Sequence, residues 1–484
     1  MSIKKAKVGV RLRRFREERG ITQATLADAL AISPSYVNQM ESNQRPITVP
    51  VLLKLASVYD VDIQQFSTDE ADRIVAQLRD VLVDSSMGEQ ISMAESRELA
   101  SSMPEVARYL VDLHRRYRHA LEVNETVTAR IDAGASGSPA APPPMAFEEV
   151  RDLFYANRNY FADLDEAAEG VFAQSQVEIP DIATALTERL AHQHNTVVVD
   201  LPSDDAEGVK RRFDPHSRTL AVSPLLHPGQ RAFQLATHLA FAEFSPLIDQ
   251  RVADADLTSN ETRSLARIGL ANYFAGALIL PYQLFLNAAE ELRYDLDLLQ
   301  RRFRVGFETV AHRLSTMQRP GSRGVPFFFV RVDRAGNISK RQSATDFHFS
   351  RVGGSCPLWN VYEAFSYPGQ IRRQLAQMPD GRSYLWIART VSSRNGGFGT
   401  PAKTFAIGLG CDLHHAHRLV YSDGLDLANP SAPTPIGPGC KVCDRSNCPQ
   451  RAFPAIGKPL EVDQHRARLV PYSFDSNERR SPYT

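Results

Sequence analysis

The run Ala133-Gly-Ala-Ser-Gly-Ser-Pro-Ala-Ala-Pro-Pro-Pro144 constrains this chain more than any other feature, because it offers a core nothing larger than a proline ring. Such composition cannot bury enough apolar surface to order itself, so residues 133–146 are expected to be a flexible linker. It divides the 484 residues unequally, and a chain of that length is already too long for a single core, so two to four domains are expected. With 43% hydrophobic and 23% charged residues, composition fits an ordinary soluble protein. The net charge is zero but unevenly spread: residues 1–20 hold eight Lys or Arg, a local basic face suited to phosphates. No apolar run follows them, so a signal peptide is not expected. The longest apolar stretch, Ile268 to Tyr282, is shorter than a membrane span and contains Asn272, so it reads as a buried helix. Five cysteines do not make a disulfide framework. These readings together predict a cytoplasmic protein.

Residues 8–66 read as short helices. Gly20 stops the first, Thr22 caps the second, and Ser33 caps the third with Pro34 at its first position. Residues 70–83 and 92–130 continue with amphipathic helical spacing, including Val106, Leu110, Leu113, Tyr117 and Leu121. Beyond the linker, Phe147 to Met317 is mostly helical, with short strands expected at 196–201 and 219–222. After Gly321 the pattern turns to strands at 326–332, 384–391 and 404–409, separated by Gly-rich turns. The expected fold is therefore multidomain. It has an all-α helix-turn-helix domain (1–70), a helical connector (71–132), the linker (133–146), a helical sensor core (147–318), a small α+β module (319–410) and a Cys-rich segment (411–484).

Thr22-Gln-Ala-Thr-Leu-Ala27 followed by Ser33-Pro-Ser-Tyr-Val37, Glu41, Arg45-Pro46 and Leu52 to Ala56 resembles the Cro-like, phage-repressor helix-turn-helix family. Leu26, Ala27, Leu30, Val37, Met40, Leu52 and Leu55 would form its core. Such a third helix lies in the major groove with its N-terminal residues toward base edges. Asn38 and Gln39 suit adenine, Ser33, Ser35 and Tyr36 suit bases or phosphates, and Gln23 resembles the family's phosphate clamp. Arg45 completes the expected DNA-binding set. The resemblance implies paired half-sites, hence a homodimer or higher homo-oligomer on double-stranded operator DNA.

Residues 231–241 and 271–281 resemble two segments of a zinc-peptidase family, in which one helix carries two histidines a turn apart with a glutamate between them. Here those positions hold Thr237, His238 and Phe241, and Arg267 to Leu270 offers no carboxylate for the further ligand. His238 alone cannot hold a catalytic metal, so no enzyme activity and no catalytic residue are expected. A degenerate pocket of this kind suits a small-molecule sensor. The alternative is a DNA-binding zinc metallopeptidase.

Cys411, Cys440, Cys443 and Cys448 are spaced C-x28-C-x2-C-x4-C with Pro449 after the last. Cys-Pro echoes bacterial ferredoxin runs, although the spacing matches no ferredoxin, and four cysteines also permit tetrahedral zinc. Cys356 stands apart and reads as structural.

The whole arrangement, and most specifically the tail from Gly410 to Pro454, resembles the short-chain fatty acid regulators of actinobacteria and proteobacteria, which control the methylcitrate cycle and glyoxylate bypass. That resemblance implies an acyl-CoA effector such as propionyl-CoA, and an iron–sulfur cluster, of the 4Fe–4S type, on the four late cysteines, with zinc as the alternative. It makes the chain a regulator of propionate catabolism. CoA phosphates want arginine and lysine, and adenine wants an aromatic or guanidinium plane. The candidates are Tyr155, Arg158 and Tyr160, then Lys210, Arg211 and Arg212, then Arg302 and Arg304. Phe274, Leu278 and Ile279 are candidates for the acyl end.

Overall fold

The computed structural model describes residues 9–59 apart from positions 43 and 46, scattered positions between 74 and 117, residues 146–455 with short gaps, and scattered positions as far as 474. Residues 133–145, most of the expected linker, lie outside the described residues.

The N-terminal head is built from α1 (Gly9–Glu18), α2 (Gln23–Leu30), α3 (Pro34–Glu41) and α4 (Val49–Tyr59). Its boundaries follow local chemistry. Gly20 takes φ +62° after α1, where a side chain would be strained. The Thr22 hydroxyl accepts from the Thr25 N–H and the Ser33 hydroxyl from the Tyr36 N–H, both at 3.1 Å. Each such cap is worth about 1 kcal/mol. Leu12, Phe15, Leu26, Ala27, Leu30, Val37, Met40, Val51 and Leu55 make one small core. The side chain of Leu52 lies outside the described residues.

In the connector, α5 (Met93–Ser102) is followed by helical positions 106–114. Met103, Val106, Leu113 and Tyr117 are about half exposed, at 3- and 4-residue spacing along one face.

The larger part of the chain packs helices against a sheet. The helical layer comprises α6 (Ala146–Ala156), α7 (Ala162–Ser175), α8 (Ile182–His194), α9 (Pro228–Glu243), α10 (Ser245–Ala253), α11 (Asn260–Ile279), α12 (Tyr282–Glu291), α13 (Leu296–Phe303) and α14 (Phe307–Leu314). The apolar stretch from Ile268 is the buried half of α11, as its composition predicts, and Pro281 ends that helix. Among the described residues, no single helix is long and apolar enough to cross a membrane. A small sheet of β1 (Val197–Asp200), β2 (Arg211–Asp214) and β3 (Thr219–Val222), in the order β1-β3-β2, lies beside α8 and α9.

The second sheet contains β4 (Phe328–Val332), β5 (Ile338–Ser343), β6 (Arg372–Gln377), β7 (Ser383–Ser393), β8 (Lys403–Asp412) and β9 (Thr434–Pro435), in the order β5-β4-β8-β7-β6-β9. Strands β2, β5 and β6 escape sequence reading because Arg-Arg-Phe-Asp, Ile-Ser-Lys-Arg-Gln-Ser and Arg-Arg-Gln-Leu-Ala-Gln lack the apolar alternation of a half-buried strand.

The expected boundaries at 318/319 and 410/411 do not separate independent cores. One apolar cluster runs from Phe154 through the helices to Leu385, Ile387, Ile407, Leu409, Cys411 and Leu419. Strand β8 continues through Asp412, so no separate segment begins at Cys411. The opposite face of the sheet carries a second cluster of Phe328, Phe347, Trp359, Tyr384 and Trp386 together with Cys356.

Candidate functional site

Helix α3 presents three polar side chains to solvent, Ser33, Ser35 and Asn38, and leaves Tyr36 and Gln39 half buried. The Arg45 guanidinium lies over the Tyr36 ring at 5.3 Å, joining those two candidates on one surface. Gln23 is tied down within the head: its amide donates to Glu41 Oε2 at 2.7 Å and to Asn38 Oδ1 at 3.4 Å. Glu41 in turn accepts two bonds from the Arg16 guanidinium, at 2.7 and 3.1 Å. Its side chain is only 3% exposed and holds the Arg16 guanidinium above its ordinary pKa. Arg16, Gln23 and Glu41 thus lock α1, α2 and α3 into one fixed presentation of the α3 surface. The sequence signal for this lock is Glu41 itself, a carboxylate on the buried side of the third helix.

The late cysteines divide between the two faces of the sheet. Successive side chains of a strand point to opposite faces. Gly410 backs onto Phe328, whose ring would clash with any Cβ there, and Gly408 similarly meets Val361 and Val330. Cys411, one residue along, therefore points the other way, into the helical core, and is fully buried there. Burial drives its thiol far above the ordinary range.

The cysteine that does join Cys440, Cys443 and Cys448 is Cys356. All four line one small cleft, with Gly437, Arg445 and Arg451. The assignment of Cys411 to this set by spacing is corrected accordingly, and so is the reading of Cys356 as standing apart. A hint was present in the sequence: Cys356 and Cys448 are both followed by proline.

Backbone shape explains the cleft. Gly437 lies so close to Cys443 that a Cβ would come within 2.6 Å of Sγ, and the indole N–H of Trp359 donates to its carbonyl at 3.0 Å. Burial pushes the Cys356 thiol up to about 11 and raises Cys443 as well. Among the described residues, no three His, Cys, Asp or Glu side chains converge as ligands of a single metal ion.

The peptidase-like helix α9 has its chemistry replaced. Thr237 donates to the Phe233 carbonyl at 2.7 Å, and His238 is 6% exposed with its ring 4.3 Å from Phe213. Burial first, and the nearby Arg211 charge second, hold His238 down at about 4, so it is neutral at pH 7. The nearby Glu243 is engaged by Arg189, at 2.7 and 2.8 Å, and by His194 at 2.8 Å. His238 supplies at most one of the three protein ligands a catalytic zinc needs, since Thr237 and Phe241 offer none.

The candidate ligand residues do not converge. Tyr160 accepts from Arg319 at 3.1 Å and packs on Tyr282, while Arg302 pairs with Glu291 at 2.7 Å. Tyr155 is half buried, and Arg158, Lys210, Arg212 and Arg304 are exposed. Phe274, Leu278 and Ile279 are core, with Phe274 against Phe244 at 4.7 Å. Arg211 is distinctive. Its half-buried guanidinium lies 5.6 Å over the Phe241 ring, burial pulls it below its ordinary pKa, and no carboxylate pairs with it among the described residues.

Residues 12–66 match the helix-turn-helix family, 191–315 the IrrE N-terminal-like domain of the M78 peptidases, and 316–472 the short-chain fatty acyl coenzyme A regulator C-terminal family. Over nearly its full length the chain is similar to two regulators of Mycobacterium tuberculosis. It is 54% identical to the HTH-type transcriptional regulator PrpR, covering 96% of this chain and 95% of that one. It is 52% identical to the HTH-type transcriptional regulator RamB, covering 97% and 98%. The chain belongs to the short-chain fatty acyl coenzyme A regulator family.

A propionyl-CoA carboxylase regulator of Cereibacter sphaeroides is 44% identical over 96% of this regulator and 98% of its own length. A solved Mycobacterium tuberculosis transcriptional regulator, 56% identical, superposes with a TM-score of 0.66 and covers 68% of this regulator and 100% of that chain. The protein is thus a helix-turn-helix transcriptional regulator, as these relatives are named.

Proposed function

We propose that this regulator binds operator DNA as a homodimer and changes its operator affinity when a short-chain acyl-CoA, such as propionyl-CoA, occupies its sensor half. The genes controlled would serve propionate breakdown through the methylcitrate cycle and the glyoxylate bypass. The observation carrying this reading is similarity along the whole chain to regulators, one of them named for propionyl-CoA carboxylase. One feature favours the surface where β2 meets α9 as the acyl-CoA site. Among the described residues Arg211 is a cation without a carboxylate partner, its guanidinium over the Phe241 ring, and a CoA phosphate and adenine would supply what it lacks. A larger cleft of about 750 Å³ holds Arg301, Arg372 and Arg373 but also Asp295 and Asp297. There Arg372 is engaged by Glu363 and Arg373 by backbone carbonyls, which leaves Arg301 among carboxylates that oppose a phosphate.

The second copy would pack along the exposed face of Met103, Val106, Leu113 and Tyr117, whose spacing is that of a two-stranded helical seam. Helix-turn-helix pairs read half-sites at fixed spacing, so a sensor that repositions two heads changes affinity. Cys356, Cys440, Cys443 and Cys448 would hold an iron–sulfur cluster, 4Fe–4S by its four thiols. Zinc, which needs all its sulfurs about 2.3 Å from one centre, is the alternative. When bound, the cluster would supply an electron-accepting centre and tie the C-terminal loops to the sheet.

Operator titration of the full chain with propionyl-CoA, CoA, a long-chain acyl-CoA and propionate tests the reading. Short acyl-CoA should shift affinity roughly 5–150-fold, whereas propionate, lacking the phosphates, should not. Equal affinity under every condition would end it.

A further inference from the structure

Arg451 is 3% exposed and lines the same cleft as Cys356, Cys440, Cys443 and Cys448. Its terminal nitrogens donate to backbone carbonyls around the cysteine loop: Cys440 at 3.0 Å, Cys443 at 3.0 Å, Phe453 at 3.3 Å and Arg445 at 2.5 Å. Among the described residues its Nε–H is buried with no partner. None of these partners is a carboxylate, and among the described residues no Asp or Glu lines the cleft. A guanidinium stays charged in a protein, so burial cannot be relieved by losing a proton. A buried cation held by carbonyl dipoles and by the Phe474 ring, 5.0 Å away, still lacks the anion that normally offsets its desolvation.

Among the described residues the cleft has one possible source of negative charge. Its four sulfurs become thiolates when they ligate a metal, and the resulting metal–thiolate group is anionic. We propose that Arg451 is the built-in counter-ion of that group, its Nε–H donating to a sulfur of the cluster while its terminal nitrogens hold the cysteine loop in shape. The proposal rests on the cluster reading above and adds a consequence. Reduction places further negative charge on the cluster, and a fixed neighbouring cation stabilises the reduced form more than the oxidised form. Arg451 therefore raises the potential at which the cluster accepts an electron.

The test uses the full-length chain purified without oxygen, as wild type, Arg451→Gln, Arg451→Lys and Arg445→Gln. Iron and sulfide per chain are measured first, then the midpoint potential by absorbance-monitored redox titration. Arg451→Gln should shift the potential negative by about 59 mV or more, a tenfold change in the oxidised-to-reduced ratio at fixed poise for one electron. Arg451→Lys keeps the charge and should recover most of that shift. Arg445→Gln, at the rim, should move it less.

Full cluster content with an unchanged potential in Arg451→Gln overturns the proposal. So does an Arg451→Lys potential equal to that of Arg451→Gln, which would leave Arg451 a loop-holding role. If Arg451→Gln does not fold, Arg451→Lys against wild type still decides, because a shift of the full size there overturns it. Wild-type protein with zinc and no iron sinks the cluster reading separately. The counter-ion role is then read from zinc affinity by chelator competition, where a tenfold loss in Arg451→Gln alone supports it and equal affinities overturn it.

Discussion

Arg313 on α14 and Asp165 on α7, 148 positions apart, form a two-pronged ion pair at 2.6 and 3.2 Å inside the helical core. The two side chains are 3% and 0% exposed. Asp165 also accepts from the Tyr273 hydroxyl, and the Arg313 Nε donates to the Leu280 carbonyl at 3.0 Å. One buried charge pair thus ties α7, α11 and α14 together at the point where α11 ends. Removing one partner leaves the other charge buried and unmatched, which costs about 3–5 kcal/mol. Arg313→Met alone should lower the unfolding free energy from urea titration by that amount, and Arg313→Met with Asp165→Leu should recover part of it. Equal loss in single and double variants would mean that packing, not charge, is at stake.

Asn38 is exposed on α3 and Gln39 half buried beside it, and neither belongs to the head's apolar core. Asn38→Ala with Gln39→Ala should abolish preference for operator over scrambled duplex while weak binding persists, because base contacts are lost and phosphate contacts remain. Titration of both duplexes at one salt concentration checks this. In contrast, Glu41→Gln should cost about 1.5–3 kcal/mol of head stability by unmatching Arg16, and weaken binding to both duplexes alike.

Replacing Cys356 or Cys443 by Ser should remove bound iron, whereas Cys411→Ala should retain it at some cost in stability. Metal analysis of anaerobically purified variants separates the two sets. Both tryptophans, Trp359 and Trp386, lie in the aromatic layer that also contains Cys356. Indole fluorescence should therefore rise when the cluster is lost. Iron loss in Cys411→Ala comparable to that in Cys443→Ser would restore the grouping read from spacing.

His238 has its folded-state pKa lowered from 6.5 to about 4 by burial. Between those values the unfolded chain binds a proton that the folded chain refuses, so stability rises with pH through this window and is lost as pH falls from about 6.5 toward 4. Allowing for its partial solvent contact, the contribution is about 1–3 kcal/mol. His238→Phe should flatten the slope of urea midpoint against pH there. An unchanged slope would assign it to other buried groups, such as His312 and His415.

Arg211→Gln should leave operator binding without effector intact and abolish the response to propionyl-CoA. Isothermal titration with the full chain reads this directly. Retained affinity in that variant, with loss on Arg301→Gln instead, would move the acyl-CoA site to the larger cleft.

The sequence by itself determined what short-range chemistry can determine. Thr22, Ser33, Pro34 and Gly20 punctuate the helix-turn-helix, and apolar periodicity places Leu26, Leu30, Val37 and Met40 in its core. Thr237 and Phe241 exclude the peptidase metal before any fold is known. The tertiary structure decided which distant residues meet. Strand alternation, enforced by Phe328 against Gly410, turns Cys411 to the wrong face and leaves its place to Cys356, some 84 positions before Cys440 in the sequence. Charged strands such as β2 exist because β3 pairs with them, not because their own pattern demands it, and Arg211 reaches Phe241 of α9 through that pairing. Spacing along a chain fixes which side chains share a helix turn or a strand face. Which faces come together, and which buried charges then need a partner, is set by packing across more than a hundred residues, as Arg313 and Asp165 show.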